Sequence, residues 1–231
     1  MTNISVIIIT LNEERNIGRC LESINDIADE IIVVDSYSTD DTEKICKLYG
    51  VKFIQHRFDG HIEQKNWAIT QARYPHILSL DADEVLSPRL KASVKAVKEN
   101  WEFDGYYFNR LTNYCGKWIK HSGWYPDVKI RLFPKKHCHW EGAYVHEELV
   151  IPATYNVIEL NGHLEHYSYY NFKEHRERAD KYSALTAQKM HKKGKKASLL
   201  KPYLSAIGRF FSMYIIKKGF LDGSMGFKIA Q

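Results

Sequence analysis

Apolar runs alternate with helix-forming segments along the first hundred residues. Residues 5–10 and 30–35 are almost continuously apolar and β-branched, which is typical of strands covered on both faces. After Asn12, the apolar residues Ile17, Leu21 and Ile24 recur at helical spacing. The predicted strands here are residues 5–10, 30–35, 51–54 and 77–80, and the predicted helices are a segment opening at Asn12, a segment from Asp40 to about Gly50, residues 63–72 and residues 90–99. This alternation predicts right-handed βαβ units and a parallel sheet.

The pattern changes after residue 99. Three further strands are predicted at residues 105–114, 128–133 and 157–160, separated by polar and aromatic loops rather than by helices. An antiparallel extension of the sheet is therefore expected. Residues 171–191 and 202–216 read as two C-terminal helices, and no segment has the roughly 20 apolar residues that are needed to span a bilayer.

Charge divides the chain unevenly. Residues 173–231 contain 14 Lys and Arg against 4 Asp and Glu, or +10, whereas residues 1–172 contain 19 against 24, or −5. We therefore predict a main domain over residues 1–172 and a basic helical extension over residues 173–231. The basic extension suggests a polyanion or an anionic membrane surface as partner, or else a helix packed on its own domain with solvated lysines. No nucleic-acid-binding motif accompanies the charge, so nucleic acid is not expected.

The four cysteines are scattered without CxxC spacing, and no charged-then-apolar leader precedes the first strand. We therefore expect a reducing, cytoplasmic setting, with a peripheral position on the cytoplasmic face of the inner membrane as a further possibility.

Acidic residues cluster where the fourth predicted strand ends, in the sequence HILSLDADE. In an extended segment Asp81 and Asp83 point the same way and can present both carboxylates to one ion. Mg²⁺ and Mn²⁺ take such oxygen ligands and often complete their shell with substrate phosphates. Asp35 follows the second strand and can accept hydrogen bonds from a base or a ribose, although a helix-capping acid is the plain alternative. Ligands gather at the carboxyl ends of such strands.

Four ordered segments carry a resemblance: SVIIITLNEERNIGRCLES, DEIIVVDSYSTDDT, QKNWAI and LSLDADE. They resemble the successive motifs of the family 2 glycosyltransferases, which have the GT-A fold. The later block RLFPKKHCHWEGAYVHEEL resembles their WaaE/KdtX-like subgroup, which glucosylates the inner core of lipopolysaccharide. The resemblance implies an α/β protein with a Rossmann-like mixed sheet flanked by helices, and transfer of a sugar from a nucleotide donor with inversion of configuration.

The resemblance also implies roles for individual residues. Those expected to bind the nucleotide sugar are Thr10, Asn12, Glu13, Asp35, Ser36, Ser38, Lys65, Asp81, Ala82 and Asp83. Asp83 is the expected direct metal ligand together with Asp81, and Lys65 is expected near the diphosphate. His166 or His163 could complete the metal shell, since histidine is a common ligand, but a structural histidine is an equal alternative.

An inverting displacement needs a base that takes the proton of the acceptor hydroxyl. The candidates, in order, are Glu147, Glu141 and Asp127, and surface acids at the mouth of a hairpin are the alternative. Arg131 could clamp an acceptor phosphate with two hydrogen bonds, or form an ion pair on a strand face. The remaining residues expected to contact the acceptor are Trp124, Trp140 and His146.

The main prediction is thus a metal-dependent glucosyltransferase that uses UDP-glucose on a lipopolysaccharide heptose. A related transferase acting on another cell-surface polysaccharide or lipid-linked acceptor is the nearest alternative. A haloacid-dehalogenase-type phosphatase is a second, because LSLDADEV also fits a strand followed by DxDxV, with Asp81 as nucleophile. That motif normally opens its fold, whereas three βα units precede it here. An inactive nucleotide-sugar-binding protein is a third alternative.

Overall fold

A computed structural model describes residues 1–143, 146–194 and 201–231 of the chain. The strands are β1 (Ile4–Thr10), β2 (Glu30–Asp35), β3 (Lys52–Gln55), β4 (His76–Asp81), β5 (Glu84–Leu86), β6 (Gly105–Tyr114), β7 (Lys117–Trp118), β8 (Asp127–Pro134), β9 (His139–Ala143), β10 (His146–Val150) and β11 (Val157–Tyr169). The helices are α1 (Ile17–Ile24), α2 (Thr42–Leu48), α3 (His61–Gln71), α4 (Pro88–Glu99), α5 (Phe172–Lys192), α6 (Lys201–Phe211) and α7 (Gly223–Ala230), with a π-helical turn at Ser212–Ile216 and a 3₁₀ turn at Gly219–Asp222.

The chain forms two compact units. The first comprises Met1–Arg110 and Val128–His166, and the second comprises Leu111–Asp127 and Tyr167–Gln231. The sequence places a boundary between residues 172 and 173. In the structure, the C-terminal part of the second unit begins at Tyr167, and this unit also contains Leu111–Asp127 from the middle of the chain.

The first unit is built on a mixed sheet whose strands follow the order β3, β2, β1, β4, β8, β6, β11, β5. Strands β1 to β4 pair in parallel, whereas β8 pairs antiparallel with β4, and β5 antiparallel with β11. The predicted parallel sheet with an antiparallel extension is confirmed. Strands β9 and β10, which the sequence did not predict, form a separate antiparallel hairpin.

Both faces of the parallel strands are covered, which explains their continuous apolar sequence. Alternate residues of β1 point to opposite faces of the sheet. Val6 and Ile8 pack in one buried cluster with Leu21 of α1, and Ile7 packs in another with Ala68 of α3. Helices thus lie on each side of the sheet and fix the positions of its strand ends.

Two predicted boundaries are wrong. The first helix begins at Ile17 rather than at Asn12, because Asn12 has a positive φ of 54° and its segment forms turns. Strand β11 continues to Tyr169 instead of stopping near residue 160. His163 and His166, expected at a strand end, therefore lie inside a strand. The length of β11 could not be predicted from its polar sequence, because only some of its side chains are buried.

The second unit has an aromatic core of its own. Tyr114, Ile119 and Ile229 are buried there, with Trp124 and Tyr169 packed against them. Helix α6 ends at Phe211 and continues as the π-helical turn, where the sequence predicted one helix over residues 202–216. Among the described residues, no helix is both long and apolar enough to cross a membrane. Part of the basic run at residues 192–196 lies outside the described residues.

Candidate functional site

The carboxyl ends of the parallel strands bring the predicted site residues to one edge of the sheet. Thr10 is aligned with Asp35, Asp35 with Gln55, and Ile9 with Asp81 in the strand registers. The last residues of four strands therefore lie side by side. This is the edge at which open α/β sheets bind ligands.

The loops that follow β1 and β2 are joined by hydrogen bonds. The backbone N–H of Asn12 donates to Ser38 Oγ at 2.7 Å, and Asn12 Oδ1 accepts from the N–H of Thr39 at 2.8 Å. Asp35 is fully buried, and its two oxygens accept from the Ser38 hydroxyl at 2.5 Å and the Ser38 N–H at 2.8 Å. Asp35 thus fixes the shape of the loop that contains Ser36 and Ser38.

Backbone and side-chain contacts hold the remaining predicted loop residues in place. The carbonyl of Thr10 accepts from the N–H of Ser36 at 2.9 Å, and the N–H of Glu13 donates to Thr42 Oγ1 at 2.9 Å. Gln64 of α3 is buried and donates to Ser36 Oγ at 3.1 Å, and His56 Nδ1 lies 2.8 Å from Gln64 Oε1. The sequence analysis did not single out Gln64 or His56. Gln64 is the first residue of the segment QKNWAI, which contributes to the family resemblance, and His56 directly follows a strand end.

Asp81 is held between two buried cations supplied by the chain itself. Lys65 Nζ lies 3.0 Å from Asp81 Oδ1, and an Arg131 guanidinium nitrogen lies 2.9 Å from Asp81 Oδ2. Burial alone would raise the pKa of Asp81, but the charges of Lys65 and Arg131 outweigh it and hold that pKa well below its usual range. Burial likewise opposes the charge of Arg131, yet Glu84 and Asp81 raise its pKa above the usual value. The chain itself therefore supplies positive charge beside Asp81.

Glu84 completes this ion network. Its side chain is fully buried, its Oε1 lies 2.5 Å from Arg131, and its Oε2 accepts from the backbone N–H of Asp81 at 3.0 Å. Arg110 lies 3.4 Å from the same carboxylate. Glu84 is the last residue of the quoted segment HILSLDADE, and the sequence predicted no role for it. The structure places Arg131 in the strand ion pair that was the alternative to an acceptor contact.

Asp83 lies beside a histidine of β11. Asp83 Oδ2 is 3.1 Å from His166 Nε2, and both side chains remain partly accessible, while Ala82 between the two aspartates is buried in the core. His163 lies in the same strand, and its N–H donates to Ser87 Oγ at 3.0 Å.

The Asp83 and His166 pair fits the donor set of a divalent cation. At metal–ligand distances of about 2.1 Å, adjacent ligands of an octahedral Mg²⁺ or Mn²⁺ ion are about 3.0 Å apart, which is close to the 3.1 Å that separates these atoms. No cluster of three or more His, Cys, Asp or Glu side chains suited to a metal occurs in the part of the chain that the structure describes. Mg²⁺ and Mn²⁺ often take their remaining ligands from substrate phosphates and water.

The β9–β10 hairpin brings one candidate base to this network. Glu147 is aligned with Gly142, and Leu149 with Trp140, so Glu147 and Trp140 share a face of the hairpin. Glu147 Oε1 lies 2.5 Å from Lys65 Nζ, and Lys65 Nζ lies 4.6 Å from the centre of the Trp140 ring. The second oxygen of Glu147, Oε2, is buried without a hydrogen-bond partner among the described residues.

The other candidate bases lie elsewhere. Glu141 faces the opposite side of the hairpin, where it is 62% exposed and lies 2.7 Å from His139 Nε2. Asp127 and Trp124 belong to the second unit, where Trp124 packs against the ring of Tyr114. The side chain of His146, predicted to contact the acceptor, lies outside the described part of the structure.

The first unit thus brings together two buried cations, Lys65 and Arg131, that are paired with Asp81, Glu84 and Glu147. Beside them lie the metal-type pair Asp83 and His166 and the oxygen of Glu147 that has no hydrogen-bond partner among the described residues. Such a set can hold a diphosphate with its cation and accept a proton next to it.

Comparison with known proteins gives a family match and relatives that align with nearly all of this chain. A family model described as glycosyl transferase family 2 matches residues 5–146. An uncharacterized glycosyltransferase of Rickettsia typhi is 33% identical over 98% of this chain and 81% of its own length. The lipopolysaccharide core biosynthesis glycosyltransferase LpsC of Rhizobium meliloti is 26% identical over 97% of this chain and 85% of its own length.

Similar solved structures overlap with about half of the chain. Staphylococcus aureus TarS in complex with UDP is 26% identical over 48% of this chain and 36% of its own, with a TM-score of 0.41. Glucosyl-3-phosphoglycerate synthase of Mycobacterium tuberculosis, in complex with Mn²⁺, UDP and glucosyl-3-phosphoglycerate, is 24% identical over 50% of this chain and 45% of its own, with a TM-score of 0.39.

Proposed function

The chain belongs to glycosyl transferase family 2 and has the GT-A fold, and we propose that it is an inverting, metal-dependent glycosyltransferase with a UDP-sugar as donor. The observation that carries this proposal is that Lys65 forms ion pairs with both Asp81 and Glu147 at the carboxyl edge of the sheet. One buried ammonium links the acidic motif expected to hold the donor to the acid expected to activate the acceptor.

The donor nucleotide is proposed to bind along the loops after β1 and β2. Those loops are fixed by the hydrogen bonds of Asn12, Asp35 and Ser38, which keep their backbone groups in place before the ligand arrives. A preordered loop loses less conformational entropy on binding. In this proposal Asp35 acts chiefly by shaping the loop, since both of its oxygens already accept hydrogen bonds from Ser38.

Asp83 and His166 are the residues proposed to hold a divalent cation, because their donor atoms have the separation of adjacent metal ligands. Asp81 is left out of the metal shell, since Lys65 and Arg131 occupy its two oxygens. When bound, the cation would neutralise charge that builds on the departing nucleoside diphosphate.

Glu147 is proposed as the general base. The hydroxyl oxygen of the acceptor would attack the anomeric carbon of the sugar while its proton passes to Glu147 Oε2, and the bond to the nucleoside diphosphate would break. The support is that Oε2 is buried and has no hydrogen-bond partner among the described residues, whereas Oε1 is held by Lys65. Trp140 lies on the same hairpin face, but it is buried in the core of the first unit and the Lys65 ammonium lies over its ring, so it takes no part in acceptor binding in this proposal.

The donor sugar is proposed to be glucose and the acceptor a heptose of the lipopolysaccharide inner core. Support comes from the sequence resemblance and from similarity to LpsC, whose name places it in lipopolysaccharide core biosynthesis. Arg131 takes no part in acceptor binding in this proposal, because it is buried against Asp81 and Glu84.

A thermal-shift panel tests the donor first. UDP, GDP, CDP and dTDP sugars would each be added with and without Mg²⁺ or Mn²⁺, since a ligand that binds the native state raises the unfolding midpoint. We expect a metal-dependent rise with UDP-glucose that exceeds the rise with the other nucleotides. Radiolabelled transfer to heptose-terminated lipopolysaccharide then tests the reaction. A strong UDP shift without transfer would indicate a binding protein, and no shift with any nucleotide would contradict the proposal.

A further inference from the structure

The C-terminal helices of the second unit expose large apolar side chains. Leu204, Ile207 and Phe211 recur at intervals of three and four residues and so share a face of α6, where Leu204 is 69% and Ile207 68% exposed. We call the whole set the C-terminal apolar surface; its members are Tyr203, Leu204, Ile207, Phe211, Ile215, Ile216, Phe220, Leu221 and Phe227. Grouped exposure of this kind marks an interaction site, whereas single exposed apolar residues do not.

An aromatic cluster connects two members of this surface, Phe220 and Phe227, with Phe210 and Tyr214. The ring centre of Phe227 lies 5.7 Å from those of Phe210 and Tyr214, and the ring of Phe220 lies 6.3 Å from Tyr214. Phe210 and Tyr214 stack on each other at 5.4 Å. The apolar side chains of α6, the 3₁₀ turn and α7 are therefore held together by packing within the second unit.

The charges around the surface have one sign. Residues 201–231 contain five Lys and Arg and one acid, Asp222. Asp222 is buried and accepts from the backbone N–H of His121 at 2.9 Å, so its charge is turned inward. Arg209, Lys217 and Lys218 are exposed. The charge that this region presents to solvent is therefore cationic.

We propose that the C-terminal apolar surface docks this protein on a bilayer that contains anionic lipids. Apolar side chains would enter the boundary between head groups and acyl chains while the flanking cations meet the anionic head groups. A second copy of the chain fits less well, because a symmetric contact would bring like charges from both copies together. Docking of this kind is peripheral and needs no membrane-crossing helix.

Cosedimentation of the full-length chain with vesicles tests the proposal without any donor or acceptor. The vesicles would contain phosphatidylcholine alone or phosphatidylcholine with phosphatidylglycerol. We expect binding to the anionic vesicles that weakens as salt rises above about 0.1 M, because salt screens the attraction of exposed charges.

Matched variants separate the surface from nonspecific effects. Ile207→Glu should lower the vesicle partition coefficient by about tenfold or more, because it removes buried apolar area and adds a repelled charge. Leu48→Glu, at a position of the first unit that is 80% exposed, should not change it. Lys217→Glu together with Lys218→Glu should lower it by at least roughly 30-fold, since two attractive charges are lost and two repelled charges are added. Lys44→Glu together with Lys47→Glu should leave it close to wild type.

Two outcomes would overturn the docking proposal. In the first, the wild-type protein stays in the supernatant with anionic vesicles. If light scattering also shows a dimer that Ile207→Glu dissociates, the surface binds a second copy of the chain instead of a bilayer. The other is equal binding by Ile207→Glu, by the double lysine variant and by their controls. The thermal shift with UDP-glucose, measured on the same variants, should be unchanged, so failure of docking and failure of the proposed transferase activity can be told apart.

Discussion

Lys65 of α3 and Glu147 of β10 form an ion pair of 2.5 Å, although 82 positions separate them in the sequence. The Lys65 side chain is only 2% exposed and also lies 3.0 Å from Asp81. One ammonium group therefore pairs with two carboxylates that belong to different parts of the proposed reaction.

Replacing Lys65 should destabilise the protein strongly. Lys65→Met leaves Asp81 and Glu147 without their shared cation in a mostly buried place, which typically costs about 3 kcal/mol or more. Lys47→Met is the matched control, because Lys47 forms an exposed pair with Glu43 and should change stability by about 0.5 kcal/mol or less. Urea unfolding measures both free energies. Equal losses in the two variants would show that the Lys65 pairs contribute no more than surface pairs.

The reactivity of the buried thiols provides a test of the packing of the core. Burial raises the pKa of Cys46 to about 12 and that of Cys138 to about 11, and burial, followed by the charge of Glu84, raises the pKa of Cys20 well above its usual value. A thiol with a raised pKa stays protonated at pH 8, and only the thiolate reacts. In the native protein we expect an aromatic disulfide reagent to label Cys115 slowly at pH 8 and to leave the other three unmodified. All four should react in denaturant, and rapid native labelling of Cys46 would contradict this packing.

Gly162 allows β11 to lie close to the start of α4. It has a φ of +113°, and a Cβ at this position would lie 2.3 Å from the backbone nitrogen of Leu90. Gly50 is a matched control in the same unit, because its φ is +64° but nothing lies within 4 Å of its Cβ position. We expect Gly50→Ala to cost about 1–2 kcal/mol from backbone strain and Gly162→Ala to cost clearly more in urea unfolding. The contact of β11 with α4 would be in doubt if the two costs were the same.

Asp83 is the residue whose loss should remove the dependence on metal. In Asp83→Ala we expect the rise in unfolding midpoint with UDP and Mn²⁺ to fall to the value seen with UDP alone, because the proposed cation loses its carboxylate ligand. Circular dichroism should remain native, since Asp83 is partly accessible and pairs only with His166 among the contacts seen. Asp26→Ala is the control, because Asp26 pairs with Lys91 and Lys95 on the surface. If the unfolding midpoint of Asp83→Ala still rose in a fully metal-dependent way, Asp83 would not be a metal ligand.

Strand ends could be predicted from the sequence, but the partners of the acids could not. The buried, largely apolar strands end at Thr10, Asp35 and Asp81, and parallel pairing places those ends at one edge. The cations beside Asp81 come from Lys65 and Arg131, which lie 16 positions before and 50 positions after it. No local periodicity links residues so far apart, so the sequence offered an ion pair for Arg131 without naming its partner and gave no sign that Lys65 pairs with Asp81.

Secondary structure was hardest to predict where strands are partly exposed. Strand β11 has only Leu160, Leu164 and Ser168 buried along its length, so its sequence has no continuous apolar run. The hairpin of β9 and β10 is likewise rich in charged residues. These are the elements that bring His166 and Glu147 to the site. The prediction of Glu147 therefore came from family resemblance, since its position on the hairpin face depends on a register that the sequence does not reveal.

Glu147→Gln should separate donor binding from transfer. The amide keeps the shape of the side chain but is a far weaker base, so kcat should fall by about 10²- to 10⁴-fold, while the midpoint rise with UDP-glucose stays close to wild type. Glu141→Gln is the matched control on the neighbouring strand, because Glu141 faces the other side of the hairpin and is largely exposed; it should retain nearly full turnover. Both values come from initial rates of sugar transfer at saturating donor. Near-normal turnover in Glu147→Gln would show that Glu147 is not the base. A large loss of turnover in Glu141→Gln alone would indicate that Glu141, on the exposed face of the hairpin, is the base.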